Sequence, residues 1–76
     1  MGKNQLELKI KNNIPILRAQ HKITQEELAK AIGVTRATIS SVEKGNYNPS
    51  LELAFKLARF FNENIDNVFQ VEENHE

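Results

Sequence analysis

The residues best suited to chemistry lie along one side of a predicted helix that follows Thr35, where the side chains are short or hydrogen-bonding. These outward residues are Arg36, Ala37, Ser40, Ser41 and Lys44. Arginine can donate two hydrogen bonds to O6 and N7 of guanine, alanine can contact a thymine methyl group, and serine can donate or accept at a base edge. Small side chains also let a helix enter a narrow space such as the major groove of DNA. This side of the helix therefore indicates a DNA reader.

The rest of the chain shows no spacing suited to catalysis or to metal binding. There is no cysteine, and the two histidines, His21 and His75, are far apart, whereas structural zinc sites use four such ligands. Nucleophilic catalysis needs a base beside a serine or threonine, and the three glycines are too isolated to cradle a phosphate. We expect no enzymatic activity, no metal, no cofactor and no small-molecule ligand.

Two short helices around a tight turn would position the DNA-reading side. Thr24 and Glu27 have the three-residue spacing of a capping box. Gly33 suits the left-handed residue that ends a helix, and Thr35 can cap the helix that follows. The predicted helices are helix 2 over about residues 25–32 and helix 3 over about residues 36–44.

Three further helices and two short strands are predicted around this pair. Helix 1 begins after Asn12 or Asn13, helix 4 covers residues 51–61, and helix 5 covers residues 65–69. Alternation of Leu6, Leu8 and Ile10 with charged residues predicts one strand, and Phe69-Gln70-Val71 predicts another. The expected fold class is all-α, with five helices to which the termini can add a small two-stranded antiparallel sheet.

The segment resembles the helix-turn-helix of the phage-repressor and Cro-like family, often called the Xre family. The matching residues are 25–29, 32–36, 39–40, 43–45, 47–51, 53–54, Asp66 and Phe69. The resemblance implies a repressor-type domain over residues 12–69, preceded by an arm or strand over 1–11 and followed by a strand and disordered acidic tail over 70–76. It also implies double-stranded DNA as the partner and transcriptional repression at an operator as the function. The alternative on this scaffold is an antitoxin or another module that binds a protein partner.

The family also implies roles for individual side chains. Positions that contact the DNA backbone in the family correspond to Gln25, Thr35, Lys44, Asn46 and Tyr47, and Thr38 can serve a base edge or a phosphate. For Tyr47, packing beneath its own loop is equally compatible with the sequence. An arginine of helix 1 that pairs with a glutamate of helix 3 falls on Arg18 and Glu43. We expect a partly buried structural salt bridge there, the alternative being an exposed pair worth under about 1 kcal/mol.

The formal net charge is zero, which is unusual for a DNA-binding protein. The charges are, however, unevenly distributed along the chain. Residues 1–48 carry eight basic and four acidic side chains, whereas residues 49–76 carry two basic and six acidic ones. Such polarity can orient a domain on a polyanion. No apolar run approaches the ~18 residues of a membrane span, so we expect no membrane contact and a cytoplasmic protein that joins the nucleoid when bound to DNA.

Helix 4 has more apolar surface than one core contact needs. Its predicted core stripe comprises Leu51, Ala54, Phe55, Ala58 and Phe61, and Leu53, Leu57 and Phe60 extend it sideways. Either the terminal strands cover this extension, or a second subunit does, or both. The two ends of the chain resemble those of the small cytolysin-operon repressor type, which implies a terminal ribbon and a two-fold dimer. We therefore expect a homodimer whose interface contains Leu53, Leu57, Phe60 and Val71.

Overall fold

The computed structural model describes residues 8–72, which form five helices and one two-stranded sheet. In chain order these are β1 (Lys9–Asn12), α1 (Ile14–His21), α2 (Gln25–Ile32), α3 (Arg36–Lys44), α4 (Leu51–Phe61), α5 (Ile65–Val68) and β2 (Phe69–Glu72). The predicted helical class with a terminal ribbon is confirmed. Helix α5 ends one residue earlier than predicted because Phe69 adopts extended backbone and begins β2. Leu6 of the predicted first strand and residues 73–76 of the predicted tail lie outside the described residues.

The beginnings of α2, α3 and α4 are set by side-chain caps. Thr24 Oγ1 accepts the Glu27 N–H at 3.0 Å, and Glu27 Oε1 accepts the Thr24 N–H at 2.9 Å, which completes the capping box. Thr35 and Ser50 each accept, at 3.1 Å, the N–H of the residue three positions later. These hydroxyl groups satisfy N–H groups that have no partner inside a helix, so the local sequence determines where each helix begins.

Left-handed residues end the four longer helices. Gly33 and Gly45 have φ of 80° and 79° and follow α2 and α3. Lys22 and Asn62, each with φ of 57°, do the same after α1 and α4. The tight turn between α2 and α3 thus depends on Gly33, where a side chain would be strained by the backbone conformation although no atom lies within 4 Å of an added Cβ.

The hydrophobic core lies among all five helices. Its buried members are Ile14, Leu17, Leu28, Ala29, Ile32, Ile39, Val42, Leu53, Ala54, Leu57, Ala58, Phe61 and Val68. For α4 the prediction was partly wrong, because Leu51 and Phe55 are 72% and 50% exposed while Leu53 and Leu57 are buried. Both pairs are apolar, so the sequence pattern does not decide which pair is buried. The rotation of α4 about its axis is decided by the positions of the other helices. Ile16 of α1 is exposed.

The terminal ribbon is attached to the helical domain near Asn12, the last residue of β1, and Asn13, which follows it. Strand β1 pairs antiparallel with β2, and Asn12 lies opposite Phe69. The Asn13 N–H donates to the Val68 carbonyl oxygen at 2.9 Å, and its side-chain amide donates to the carbonyl oxygen of Asn67 at 3.0 Å. Phe69 packs on the core. The ribbon is therefore attached to α5 and to the beginning of α1.

Candidate nucleic-acid interface

The outward side of α3 is the side that the sequence predicted to read DNA. Ile39 and Val42 are buried, so α3 packs through that side. Arg36 and Ala37 are exposed, and Ser40 and Ser41 are partly exposed; all four of these predicted base readers lie outside the core. The structure thus displays a short row of donors and small side chains along α3, bordered by its cationic last residue, Lys44.

At the beginning of α3, two threonine hydroxyl groups lie together. Thr35 Oγ1 accepts the Thr38 N–H at 3.1 Å and lies 3.0 Å from Thr38 Oγ1. Whichever hydroxyl donates in that contact, one hydroxyl hydrogen of the pair remains able to donate to another acceptor. The pair is exposed and lies at the positive end of the α3 dipole, so an anion such as a phosphate oxygen is a suitable acceptor.

Tyr47 borders the same surface from the loop after α3. It is 46% exposed and lines a shallow depression of about 250 Å³ with Ala37, Thr38 and Ser41. Nearly half of the Tyr47 surface is therefore open to solvent beside α3. Lys44 and Asn46 are exposed as well. The fold brings these loop residues together with the outward side of α3.

A bidentate ion pair joins α1 to the end of α3. Arg18 Nε donates to Glu43 Oε2 at 2.7 Å, and Arg18 Nη2 donates to Glu43 Oε1 at 3.2 Å. The two side chains are 20% and 8% exposed. This hydrogen bonding, with the Glu43 charge, raises the pKa of the Arg18 guanidinium above its ordinary value against the opposing effect of burial. The expected structural salt bridge is present, in its partly buried form.

Gln25, expected at the DNA backbone, also belongs to this network. Its Nε2 donates to Glu43 Oε1 at 2.9 Å, and Arg18 Nη1 donates to the carbonyl oxygen of Ile23 at 3.3 Å. The first residue of α2 is therefore held against α3 by the same carboxylate that pairs with α1. Sequence reasoning missed this contact, since nothing in the spacing of Gln25 and Glu43 indicates it.

Asn12 is a second contact that sequence reasoning missed. Its Oδ1 accepts the Ile14 N–H at 3.0 Å, whereas the N-cap residue of α1 is Asn13, whose side chain makes no cap hydrogen bond. Its Nδ2 donates to the carbonyl oxygens of Val42 and Glu43 at 3.2 and 3.3 Å, and so covers the carbonyl end of α3. These partners lie 30 and 31 residues away, beyond any local signal.

The predicted dimer residues divide into two groups. Leu53 and Leu57 lie in the core of the single chain, so the expectation that they face a second subunit is wrong. Phe60 and Val71 are exposed. An apolar groove of about 310 Å³ lies between α4, α5 and the ribbon, and its lining includes Pro49, Ala54, Ile65, Phe69 and Val71.

Neither a metal centre nor a membrane segment is found in the part of the chain that the structure describes. Within residues 8–72, no three histidine, cysteine, aspartate or glutamate side chains lie close enough to hold a metal ion. None of the helices in that range has the length and apolar composition that crossing a membrane requires.

Comparisons with known proteins agree with this geometry. A model of the helix-turn-helix family matches residues 16–68. The chain is 52% identical over 64 residues to an uncharacterized HTH-type transcriptional regulator of Methanocaldococcus jannaschii, covering 84% of this chain and 97% of that protein. The crystal structure of a proposed DNA-binding protein from Bacteroides fragilis has a TM-score of 0.72 at 26% identity, covering 80% and 98% of the two chains.

Two shorter similarities concern proteins with more specific names. The transcriptional repressor RstR of the cryptic phage CTXphi in Vibrio cholerae is 44% identical over 45 residues, which are 59% of this chain and 40% of RstR. Antitoxin HipB of Escherichia coli is 46% identical over 46 residues, which are 60% of this chain and 49% of HipB.

Proposed function

Because this chain belongs to the helix-turn-helix family, in its Xre-type branch, and is a DNA-binding transcriptional regulator, we propose that it represses transcription by occupying an operator. The operator is an inverted repeat bound by a homodimer, with one α3 in each major-groove half-site. The observation that carries this proposal is the exposed row of Arg36, Ala37, Ser40 and Ser41 on a helix whose other side is buried. The similarity to the repressor RstR supports repression as the outcome.

Direct readout is proposed for four side chains of α3. Arg36, in the first turn, binds guanine through O6 and N7, and Ala37 contacts a thymine methyl group. Ser40 and Ser41 hydrogen-bond to base edges farther along the groove. Arg36 is the one long side chain among the four, so each α3 supplies limited discrimination between DNA sequences. This is a physical reason for two half-sites.

Contacts to the DNA backbone are proposed at both ends of α3. The Thr35 and Thr38 hydroxyl pair donates to a phosphate near the helix beginning. Gln25, which Glu43 holds beside the other end of α3, adds the N-terminal end of α2 there. Lys44 and Asn46 bind phosphate at the other end, and the Tyr47 hydroxyl reaches the backbone from the loop. Such contacts set the position of α3 and add affinity for any sequence.

The homodimer is proposed to form through the apolar groove between α4, α5 and the ribbon. Val71 is an exposed apolar residue of this groove, and the buried Ala54 and the partly buried Ile65 and Phe69 line it beside Val71. Burial of such a patch by a second copy removes its contact with water, as expected of a subunit interface. Phe60 does not line this groove and lines a separate one on α4 instead. We therefore leave Phe60 out of the interface.

Selection from a random library of double-stranded DNA tests the function. The full chain should enrich an inverted repeat whose half-site centres are about 10–10.5 base pairs, or one turn, apart. Enrichment of a single asymmetric half-site would contradict the dimeric operator. If no DNA sequence were enriched above a random pool, sequence-specific repression itself would be excluded.

Sedimentation equilibrium tests the homodimer separately. The wild type should be dimeric at tens of micromolar, and Val71→Lys should be monomeric because Val71 lines the groove. Ile16→Lys is the matched control, because Ile16 is a similarly exposed apolar residue on α1 that does not line the groove. A monomeric wild type, or a Val71→Lys dimer as tight as the control, would contradict the proposed interface.

The antitoxin alternative rests on the similarity to HipB and on a second exposed surface. Phe55 and Phe60 line a groove of about 830 Å³ on the outer side of α4, where a protein partner has room to bind. An adjoining toxin gene, whose purified product raised the affinity of this chain for its operator, would favour the alternative. An operator bound with full affinity by this chain alone favours the simple repressor.

A further inference from the structure

The strand β1 lies beside the carbonyl end of α3 and presents two lysines that the proposed function does not use. Asn12 Nδ2 donates to the carbonyl oxygens of Val42 and Glu43 at 3.2 and 3.3 Å, which fixes the strand against the helix. Along β1, Lys9 and Lys11 are exposed whereas Ile10 and Asn12 are partly buried. Since strand side chains alternate between two sides, the two lysines share the outer one.

A cleft of about 490 Å³ separates this strand from the end of α3 and the loop that follows. Lys9, Lys11 and Lys44 all line it, together with the polar Asn48. Lys44 is the last residue of α3, so the cleft continues directly from the side of the helix that is proposed to contact DNA. The lysines of the ribbon and of the helix therefore face one shared space.

The charge in this cleft is positive. Glu43 lines it too, but its carboxylate is 8% exposed and is held by Arg18 and Gln25, so it offers little repulsion to an incoming anion. Glu72 also lines the cleft and lies opposite Lys9 in the ribbon, so three lysines face one exposed carboxylate. Within residues 8–72, none of the three lysines has a carboxylate oxygen within 4 Å, since the ion pairs found there are Arg18–Glu43 and Lys56–Glu52.

We propose that Lys9 and Lys11 bind phosphates of the DNA backbone beside each half-site, so that the terminal ribbon extends the DNA-binding surface beyond α3. This inference rests on the proposed function, because it needs α3 in the major groove. Lysine is a flexible point charge suited to phosphate without base recognition, and each neutralised phosphate releases counterions. Asn12 holds β1 in position for this contact.

A different role for the same lysines is protection of the ribbon. Charged side chains on an exposed strand edge oppose pairing with other strands. That role predicts aggregation when the lysines are removed and no change in how DNA affinity depends on salt. Binding to phosphates instead predicts a weaker dependence of DNA affinity on salt and no aggregation. The two roles are therefore separable.

The test uses the full chain with Lys9→Gln and Lys11→Gln combined, and the operator enriched from the random library. Each lost phosphate contact should reduce the slope of log affinity against log salt by about 0.9, or about 1.8 for the double variant. Between 50 and 200 mM salt the affinity advantage of the wild type should therefore shrink by about 12-fold. Non-specific DNA should show the same change in slope. The control is Lys30→Gln with Lys56→Gln, which removes the same charge from exposed positions on α2 and α4.

A slope that changed no more than in the control would overturn the inference while leaving the proposed function intact. A wild type that bound no double-stranded DNA would overturn both. Circular dichroism and sedimentation of each variant establish that fold and assembly are retained. If the double variant failed to fold or aggregated, Lys9→Gln and Lys11→Gln separately would each be expected to reduce the slope by about 0.9, and unchanged slopes would again refute the contact.

Discussion

Replacement of Arg18 by methionine should destabilise the domain by about 2–3 kcal/mol. Methionine replaces the apolar stem of Arg18 with a side chain of similar length. It cannot make the two hydrogen bonds to Glu43 or the one to Ile23. Loss of one partner of a buried ion pair typically costs about 3–5 kcal/mol, because a charge stays buried without its partner. Here the cost is lower, since Arg18 is 20% exposed and Gln25 still donates to the carboxylate.

This loss is large compared with the stability of so small a domain. A chain of this length has a free energy of unfolding of about 4–11 kcal/mol. The midpoint of thermal unfolding should fall by about 8–24 °C, since 1 kcal/mol corresponds to about 4–8 °C in small domains. Urea unfolding followed by circular dichroism measures the free energy directly. Several protein concentrations are needed, because dimer formation would contribute to the apparent stability.

A double-mutant cycle separates the ion pair from general damage. Glu43→Gln should cost less than Arg18→Met, because the arginine left behind can turn toward water. The double variant should be more stable than Arg18→Met alone, since no carboxylate then remains buried, giving a coupling energy of about 1–2 kcal/mol. A cost below about 0.5 kcal/mol for Arg18→Met, or additive effects in the double variant, would refute the assignment of the pair as structural.

The pH dependence of this effect follows from the raised pKa of Arg18. A cation whose pKa is higher in the folded than in the unfolded state contributes its full stability below the unfolded pKa. That stability is lost only as the pH rises through the raised folded pKa, which for this guanidinium lies beyond the alkaline range used with proteins. The cost of Arg18→Met should therefore be the same at pH 7 and pH 9, and a smaller cost at pH 9 would contradict the argument.

Three other substitutions test the interface and the caps. Arg36→Ala should weaken operator binding by about 1–3 kcal/mol and relax the preference at one base pair in competition assays; unchanged affinity and preference would exclude α3 as the reader. Lys44→Ala should weaken binding to all sequences alike and reduce the salt slope by about 0.9, whereas a loss confined to the operator would instead indicate base contact. Thr24→Ala should cost about 1 kcal/mol in urea unfolding, because the capping box loses its acceptor, while Thr24→Ser should retain most of the stability.

The sequence by itself determined the elements whose ends depend on neighbouring residues. Helices α2, α3 and α4 begin where predicted because Thr24, Thr35 and Ser50 satisfy N–H groups only three positions away. Gly33 and Gly45 end helices through their own backbone conformation. The outward side of α3 was equally predictable, because helical spacing assigns buried and exposed positions once the helix is known.

Tertiary structure decided what depended on distant parts of the chain. Leu51 and Phe55 are as apolar as Leu53 and Leu57, so periodicity allowed more than one rotation of α4, and packing against the other helices buried the second pair. The Asn12 amide donates to two carbonyl oxygens 30 and 31 residues away, and the Gln25 amide donates to the Glu43 carboxylate 18 residues away. Such contacts form between side chains that only the folded chain brings together, and no local propensity encodes them.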